Sequence, residues 1–224
     1  MVLNDSKTHL IVLCPKNMED KRKEIFVQAG KDKIEPSISE KLLGAEVCQT
    51  LKWKEHIMTG EKSLLKQLTT RLNGLSLVSK HAGFATRLMA ANGVYMSKLI
   101  YLIQVWGGTQ EYLLKALQVS QNKAGRLVTG MSWYTPTRLL LHRCGWLSVK
   151  QLVAYHTILT LHKTMMKGSP KYIFDKMSGS STNCHNTRQT VKFDERFDGR
   201  TDRSQSSFCY RGAVIYKRLP IEIR

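Results

Sequence analysis

The chain has 224 residues, 42% of them hydrophobic, and 35 basic against 17 acidic side chains give it a net charge of +18. That apolar content can fill a core, which excludes a wholly disordered chain, and the positive field favours a polyanion over a cationic partner. Five cysteines (Cys14, Cys48, Cys144, Cys184, Cys209), odd in number and without a CxxC pair, exclude a disulfide framework and a zinc site and point to a reducing compartment, cytoplasm or nucleus.

In chain order the charge divides into three parts. Residues 1–51 hold 8 basic and 8 acidic side chains, residues 52–176 hold 18 and 4, and residues 177–224 hold 9 and 5. A uniform surplus would not concentrate so sharply after Lys52. The start, MVLNDSKTHL, lacks the basic and apolar regions of a secretory signal.

Three apolar runs, 8–14, 24–28 and 41–49, separated by turn residues, predict a small antiparallel β-meander over 1–51, with 16–23 as an exposed loop. From about Lys54 the period becomes helical. Leu65, Leu68, Leu72 and Leu75 form one stripe, and residues 84–106 predict a second helix, apolar almost all round. Thr109 as cap, Glu111 in the first turn and Gly130 as stop frame a third helix carrying Leu113, Leu117, Ala124 and Val128. Thr135-Pro136 opens a short helix ending at Gly145. Ser148 to Gln151 is a capping-box pattern opening a helix that runs to Lys167, before Gly168 and Pro170. Beyond Ser178 the composition is polar and predicts a loop-rich, partly disordered tail. Its last part, with Tyr210, Val214, Ile215 and Leu219, reads as a segment that docks back on the body.

The fold class that follows is mainly α: a thumb-like helical bundle preceded by a small β element. Its divisions are 1–51, a basic helical domain 52–177, and a polar tail 178–224 with a docking segment. Residues 88–107 are long and apolar enough to raise a membrane span. A central Lys98 would cost about 2.5–3.5 kcal/mol there, so a buried bundle helix explains the pattern better and no membrane is expected. His156 and His162, six residues apart, lie on different helix faces, and Cys184-His185 has no second pair, so no metal site is expected. The chain has no GxGxxG, GxxxxGK[ST] or GxSxG, and no small-molecule ligand is expected. Lys52-Trp53-Lys54 and Trp133-Tyr134 flank the helical body, while Gln118, Gln121, Asn122, Lys123 and Arg126 decorate the third helix. Cations beside flat rings and amides suit a nucleic-acid surface, although a solvated face with core aromatics accounts equally well for any one of these residues. Trp106 and Trp146 read as core.

The ordered series LNDSKTHLIVL, KLLGAEVCQTLKWKEHI, TRLMAANGVYMSKLIYLIQVWGG, LLKALQVSQNKAGRLVTG, WYTPTRLLLHRCGWLSVKQL and RLPIEIR resembles reverse transcriptases of non-LTR (LINE-like) retrotransposons, in the part that follows their YxDD box. The resemblance covers nearly the whole chain. It implies that Lys7 of NDSKT assists pyrophosphate departure in an intact enzyme, and that Leu43, Gly44 and Ala45 form the tip of a primer-grip hairpin. It further implies that the helices from Lys54 to about Lys176 are a thumb and connection holding template–primer duplex. Lys52, Trp53, Lys54, Lys62, Lys66, Arg71, Lys123 and Arg126 would then contact nucleic acid. The magnesium of the intact polymerase would be held by carboxylates of the fingers and palm, and no YxDD box or CCHC knuckle occurs in these residues. The expectation is a fragment of an RNA-directed DNA polymerase, partnered by its upstream region and inactive alone. A basic helical protein of non-enzymatic role, binding nucleic acid or protein, is the alternative.

Overall fold

Left-handed glycines end the helices where the spacing predicts them. Gly130, Gly145 and Gly168 have φ of 69°, 65° and 61°, conformations that other residues reach only with strain. The computed structural model describes residues 8–15, 18–29, 32–178 and 201–220. Lys7, most of the predicted disordered tail and the final IEIR lie outside the described residues. The chain divides into two compact units, Met1–Asn73 and Gly74–Arg224. The boundary of compactness therefore differs from the boundary of charge at Lys52.

In the first unit, β1 (Leu10–Ile11) pairs in parallel with β4 (Pro36–Ser37), Leu10 facing Pro36. The antiparallel pairs are β2 (Val27–Ala29) with β3 (Asp32–Ile34) and β5 (Ser39–Leu42) with β6 (Ala45–Cys48). Instead of one meander, the described strands form three two-stranded ladders. The expected loop 16–23 contains a short helix, α1 (Glu19–Lys23), with Glu19 and Asp20 in its first turn. Arg22 decides this locally. Its side chain is buried and donates to the Ser37 carbonyl at 3.0 Å, which fastens α1 to β4. Gln49 joins two loops, accepting from Cys14 N–H at 3.1 Å and donating its own to Ile38 at 2.9 Å.

A helical turn widened to i→i+5 bonding, Glu55–Thr59, precedes α2 (Leu64–Ser79). The predicted leucine stripe of α2 is buried at Leu68, Leu72 and Leu75, and Leu65 is half-buried.

The second unit is helical among its described residues: α3 (Phe84–Ala90), a wide turn Ala91–Met96, α4 (Ser97–Ile100), α5 (Ile103–Trp106), α6 (Glu111–Thr129), α7 (Thr137–Cys144), α8 (Val149–Lys167), α9 (Lys171–Ser178), α10 (Asp202–Gln205) and α11 (Phe208–Lys217). The single helix expected over 84–106 is broken. It widens at Ala91–Met96 and stops at Tyr101, and Leu102 takes a left-handed φ of 55°. Trp106 explains the break. Fully buried, it donates its indole N–H to the Tyr101 carbonyl at 3.0 Å, satisfying an acceptor the interruption frees. Among the described residues no helix is long and apolar enough to cross a membrane.

Gln110 takes the cap position of α6 in place of Thr109, and Pro136 that of α7 in place of Thr135. At α8 the capping box forms as expected: Ser148 accepts from Gln151 N–H, and the Gln151 side chain accepts from Ser148 N–H at 2.9 Å. Replacing Ser148 by Ala should lower stability by about 1 kcal/mol, read as a shift in urea midpoint at constant slope. The C-terminal segment docks on α8 and α9, though not through the expected Tyr210, Val214, Ile215 and Leu219. Phe208, Cys209, Ala213 and Tyr216 of α11 pack with Leu161 of α8 and with Met177 and Ile173 of α9. The segment also approaches Gly108 closely, where the Ser206 carbonyl oxygen leaves no room for a Cβ.

Candidate nucleic-acid interface

In the first unit the site is a hairpin followed by a basic turn. Two residues, Leu43 and Gly44, connect β5 to β6 with φ of 49° and 83°, both central positions left-handed as a tight type I′ turn requires. Lys41 and Glu46 face each other across the pair, as do Leu42 and Ala45. Leu43 and Gly44 thus occupy the predicted tip. Ala45 does not: it is the first residue of β6, buried, because the two-residue loop ends one position earlier. Leucine at positive φ is strained by about 1–2 kcal/mol, and Leu43 is also 76% exposed. Leu43→Asn, which suits the turn, should raise stability by about 0.5–1 kcal/mol in thermal melts.

The turn leaving the hairpin is bound to it. Leu51 has φ of 54°, and its N–H reaches the Cys48 carbonyl at 2.9 Å; the Cys48 thiol donates to the Lys52 carbonyl at 3.0 Å. His56, buried, accepts the Glu46 N–H on Nδ1 at 3.2 Å and packs edge-on against Trp53 at 6.1 Å. With Nδ1 accepting, the neutral ring carries its proton on Nε2. This packing leaves Lys52 and Lys54 exposed and Trp53 half-buried. Lys62 and Lys66 are also exposed. Arg71 is half-buried beside the leucine stripe, about 140° around α2 from Lys66 at 100° per residue, so those two do not share a face.

The site in the second unit follows α6. Tyr112, Lys115, Val119, Lys123 and Arg126 recur at intervals of three and four and fall within about 80° of arc. Tyr112 and Val119 are about half exposed, and Lys115 and Lys123 are exposed. At the end of this stripe the Arg126 guanidinium lies 4.6 Å from the centre of the Trp133 ring, and its Nη2 donates to the Trp133 carbonyl at 2.9 Å. Nearby on α3, Arg87 donates through Nε to the Ala82 carbonyl at 2.7 Å, and its Nη1 lies 3.8 Å from where a Cβ at Gly130 would be. Arg143 of α7 lies over Phe84, 5.6 Å from the ring centre.

The electrostatics of this surface are one-sided. From residue 62 to residue 174 the sequence holds one carboxylate, Glu111, against fifteen lysines and arginines. Lys150 donates to Glu111 at 2.8 Å, and Lys115 lies 3.7 Å away. The hydrogen bond from Lys150 and the two ammonium charges hold this carboxyl below the usual range, so it stays ionised and neutralised locally.

The amides expected to decorate α6 turn inward. Gln118 donates to Gln121 and Asn122, both at 2.9 Å, and its carbonyl accepts the Val149 N–H at 2.9 Å, one of the free first-turn amides of α8. Gln121, buried, donates to the Leu147 carbonyl at 2.9 Å, and Asn122 to the Thr137 hydroxyl at 2.8 Å. Beneath them Tyr95 donates to Ser120 at 2.8 Å, and burial pushes its phenol well above the ordinary tyrosine range. These polar groups hold α6 against α7 and α8 and so orient the exposed stripe. Trp106 is core as expected, whereas Trp146 is half-buried and donates to Asn92 at 2.8 Å.

Of the basic residues named from sequence as nucleic-acid contacts, five (Lys52, Lys54, Lys62, Lys66 and Arg71) belong to the first unit and Lys123 and Arg126 to the second. Sequence reasoning missed Lys115, Arg87 and Arg143. The regular spacing from Tyr112 to Arg126 was a usable signal for Lys115, while Arg87 and Arg143 are placed by contacts between helices. No protein-family model, curated protein or solved structure matches this chain. Charge and geometry therefore carry the functional reading.

Proposed function

We propose that this chain is a duplex-gripping part of a reverse transcriptase of the non-LTR retrotransposon kind, binding template–primer nucleic acid without polymerising by itself. The observation that supports it most is the exposed stripe on α6: cations and rings at helical spacing, in a stretch whose single carboxylate is already neutralised. Phosphates supply the complementary charge, and rings beside them can meet sugars and bases. The hairpin tip adds a second support, since an exposed leucine in a strained turn is better explained by contact than by stability. On this reading Leu43 and Gly44 approach the primer backbone, with buried Ala45 anchoring the tip. Lys52, Trp53, Lys54, Lys62 and Lys66 contact phosphates and sugars from the first unit, as Lys123 and Arg126 do from the second, while Arg71 lies on another face of α2. Lys7, outside the described residues, would assist only in an intact enzyme. Among the described residues no group of three or more His, Cys, Asp or Glu side chains is placed to hold a metal ion. They do not fit a two-magnesium polymerase site, and no step through magnesium is assigned to them.

Fluorescence anisotropy with a recessed primer–template junction and a blunt duplex of equal length tests the proposal. Tighter binding of the junction is expected. Equal affinities would favour a basic helical binder with no polymerase ancestry in its function, and primer extension by the chain alone with magnesium and dNTPs would overturn the assignment of the metal-binding carboxylates to the upstream region.

A further inference from the structure

The turn after α6 places two aromatic residues where turns normally carry glycine, asparagine or proline. Thr135 N–H bonds the Ser132 carbonyl at 3.1 Å, so Trp133 and Tyr134 are the two corner residues. Trp133 is 64% exposed and Tyr134 91%. Large rings left in water at a corner gain nothing from burial. One of them is nonetheless held in place: Arg126 stacks on Trp133 and also bonds its carbonyl. A guanidinium on one face steadies the ring and leaves its other face for a flat partner. The chain on either side of the corner carries cations, with Lys123 on α6 and Arg138 on α7 exposed and no carboxylate in sequence between Glu111 and Asp175.

We infer that the Trp133–Tyr134 corner is a stacking platform for unpaired nucleobases, gripping the single-stranded extension beside a duplex while Lys123, Arg126 and Arg138 meet its phosphates. Charge complementarity selects a polyanion, and the exposed ring selects one with flat faces that base pairing has not already covered. Stacking of this kind tolerates any base, so the platform reads single-strandedness and not sequence. The inference rests on the proposed nucleic-acid function and names which feature of the ligand the second unit recognises.

Anisotropy titrations of the full chain with junctions whose overhang carries either normal nucleotides or abasic sugars test it, because abasic sugars keep the phosphates and remove the rings. Wild type should lose about tenfold in affinity when the bases are removed, and Trp133→Ala should bind both junctions like wild type on the abasic one. Trp133→Phe should restore part of the difference. Since the ring is exposed, the melting temperature of Trp133→Ala should match wild type. If wild type prefers the junction but does not respond to base removal, the platform is wrong and the proposed function stands. If Trp133→Ala keeps the full response to base removal, stacking lies elsewhere and the inference fails. Failure of wild type to bind any of these nucleic acids overturns both.

Discussion

Raising salt from 50 to 200 mM should weaken binding of the chain to a template–primer duplex by about 10³-fold or more. Each phosphate neutralised by lysine or arginine releases condensed counterions, so log affinity falls with log salt at a slope of about −0.9 per contact. Six to ten such contacts give slopes of about −5 to −9; the exposed lysines at 52, 54, 62 and 66 belong to the first unit, and those at 115 and 123 with the arginines on α6 and α7 to the second. Replacing Lys52 and Lys54 by Gln should flatten the slope by about 2, close to one per contact, and weaken all duplex sequences alike. Trp133→Ala, by contrast, should leave the slope nearly unchanged because it removes no charge. A flat salt response would rule out a phosphate-gripping surface.

The largest stability effect is expected at Trp106. Replacing it by Ala should cost about 3–5 kcal/mol, because its ring is fully buried and the surrounding helices can close the cavity only in part. Its hydrogen bond to Tyr101 also supports the chain where α4 stops and Leu102 turns left-handed, so the same change removes a hydrogen bond next to a strained position. Trp106→Phe keeps most of the volume but not the N–H, and should cost less than half as much. Urea denaturation of the two variants separates packing from hydrogen bonding. Near-wild-type stability of Trp106→Ala would show that the break in the 84–106 segment does not depend on this residue.

Much of the helical framework was legible because its signals are local. Glycines at 130, 145 and 168 end helices through their own backbone freedom, Ser148 and Gln151 cap each other within one turn, and Leu68, Leu72 and Leu75 recur at the helical period. The apolar run 41–49 reads locally as one strand, and the structure splits it into β5 and β6; the tip at Leu43-Gly44 was implied only by the resemblance, and the turn type, and with it the burial of Ala45, follows from φ angles that a leucine does not announce. The concentration of charge after Lys52 was also plain, and the basic side chains it counted at 52, 54, 62, 66 and 123 are exposed.

Other features depend on partners far away in the chain. An apolar run from 84 to 106 reads as one helix until Trp106 folds back on Tyr101. Arg22 makes a helix out of a polar stretch by reaching Ser37, and Gln118 turns from a surface amide into a support when it meets Val149. Periodicity and capping determined where α6, α7 and α8 end and where α8 begins, since those preferences act within a turn or two of backbone. Only the tertiary structure decided which polar groups bond inward and which cations and rings remain free for a ligand, because a buried donor is worth burying only where a distant acceptor meets it.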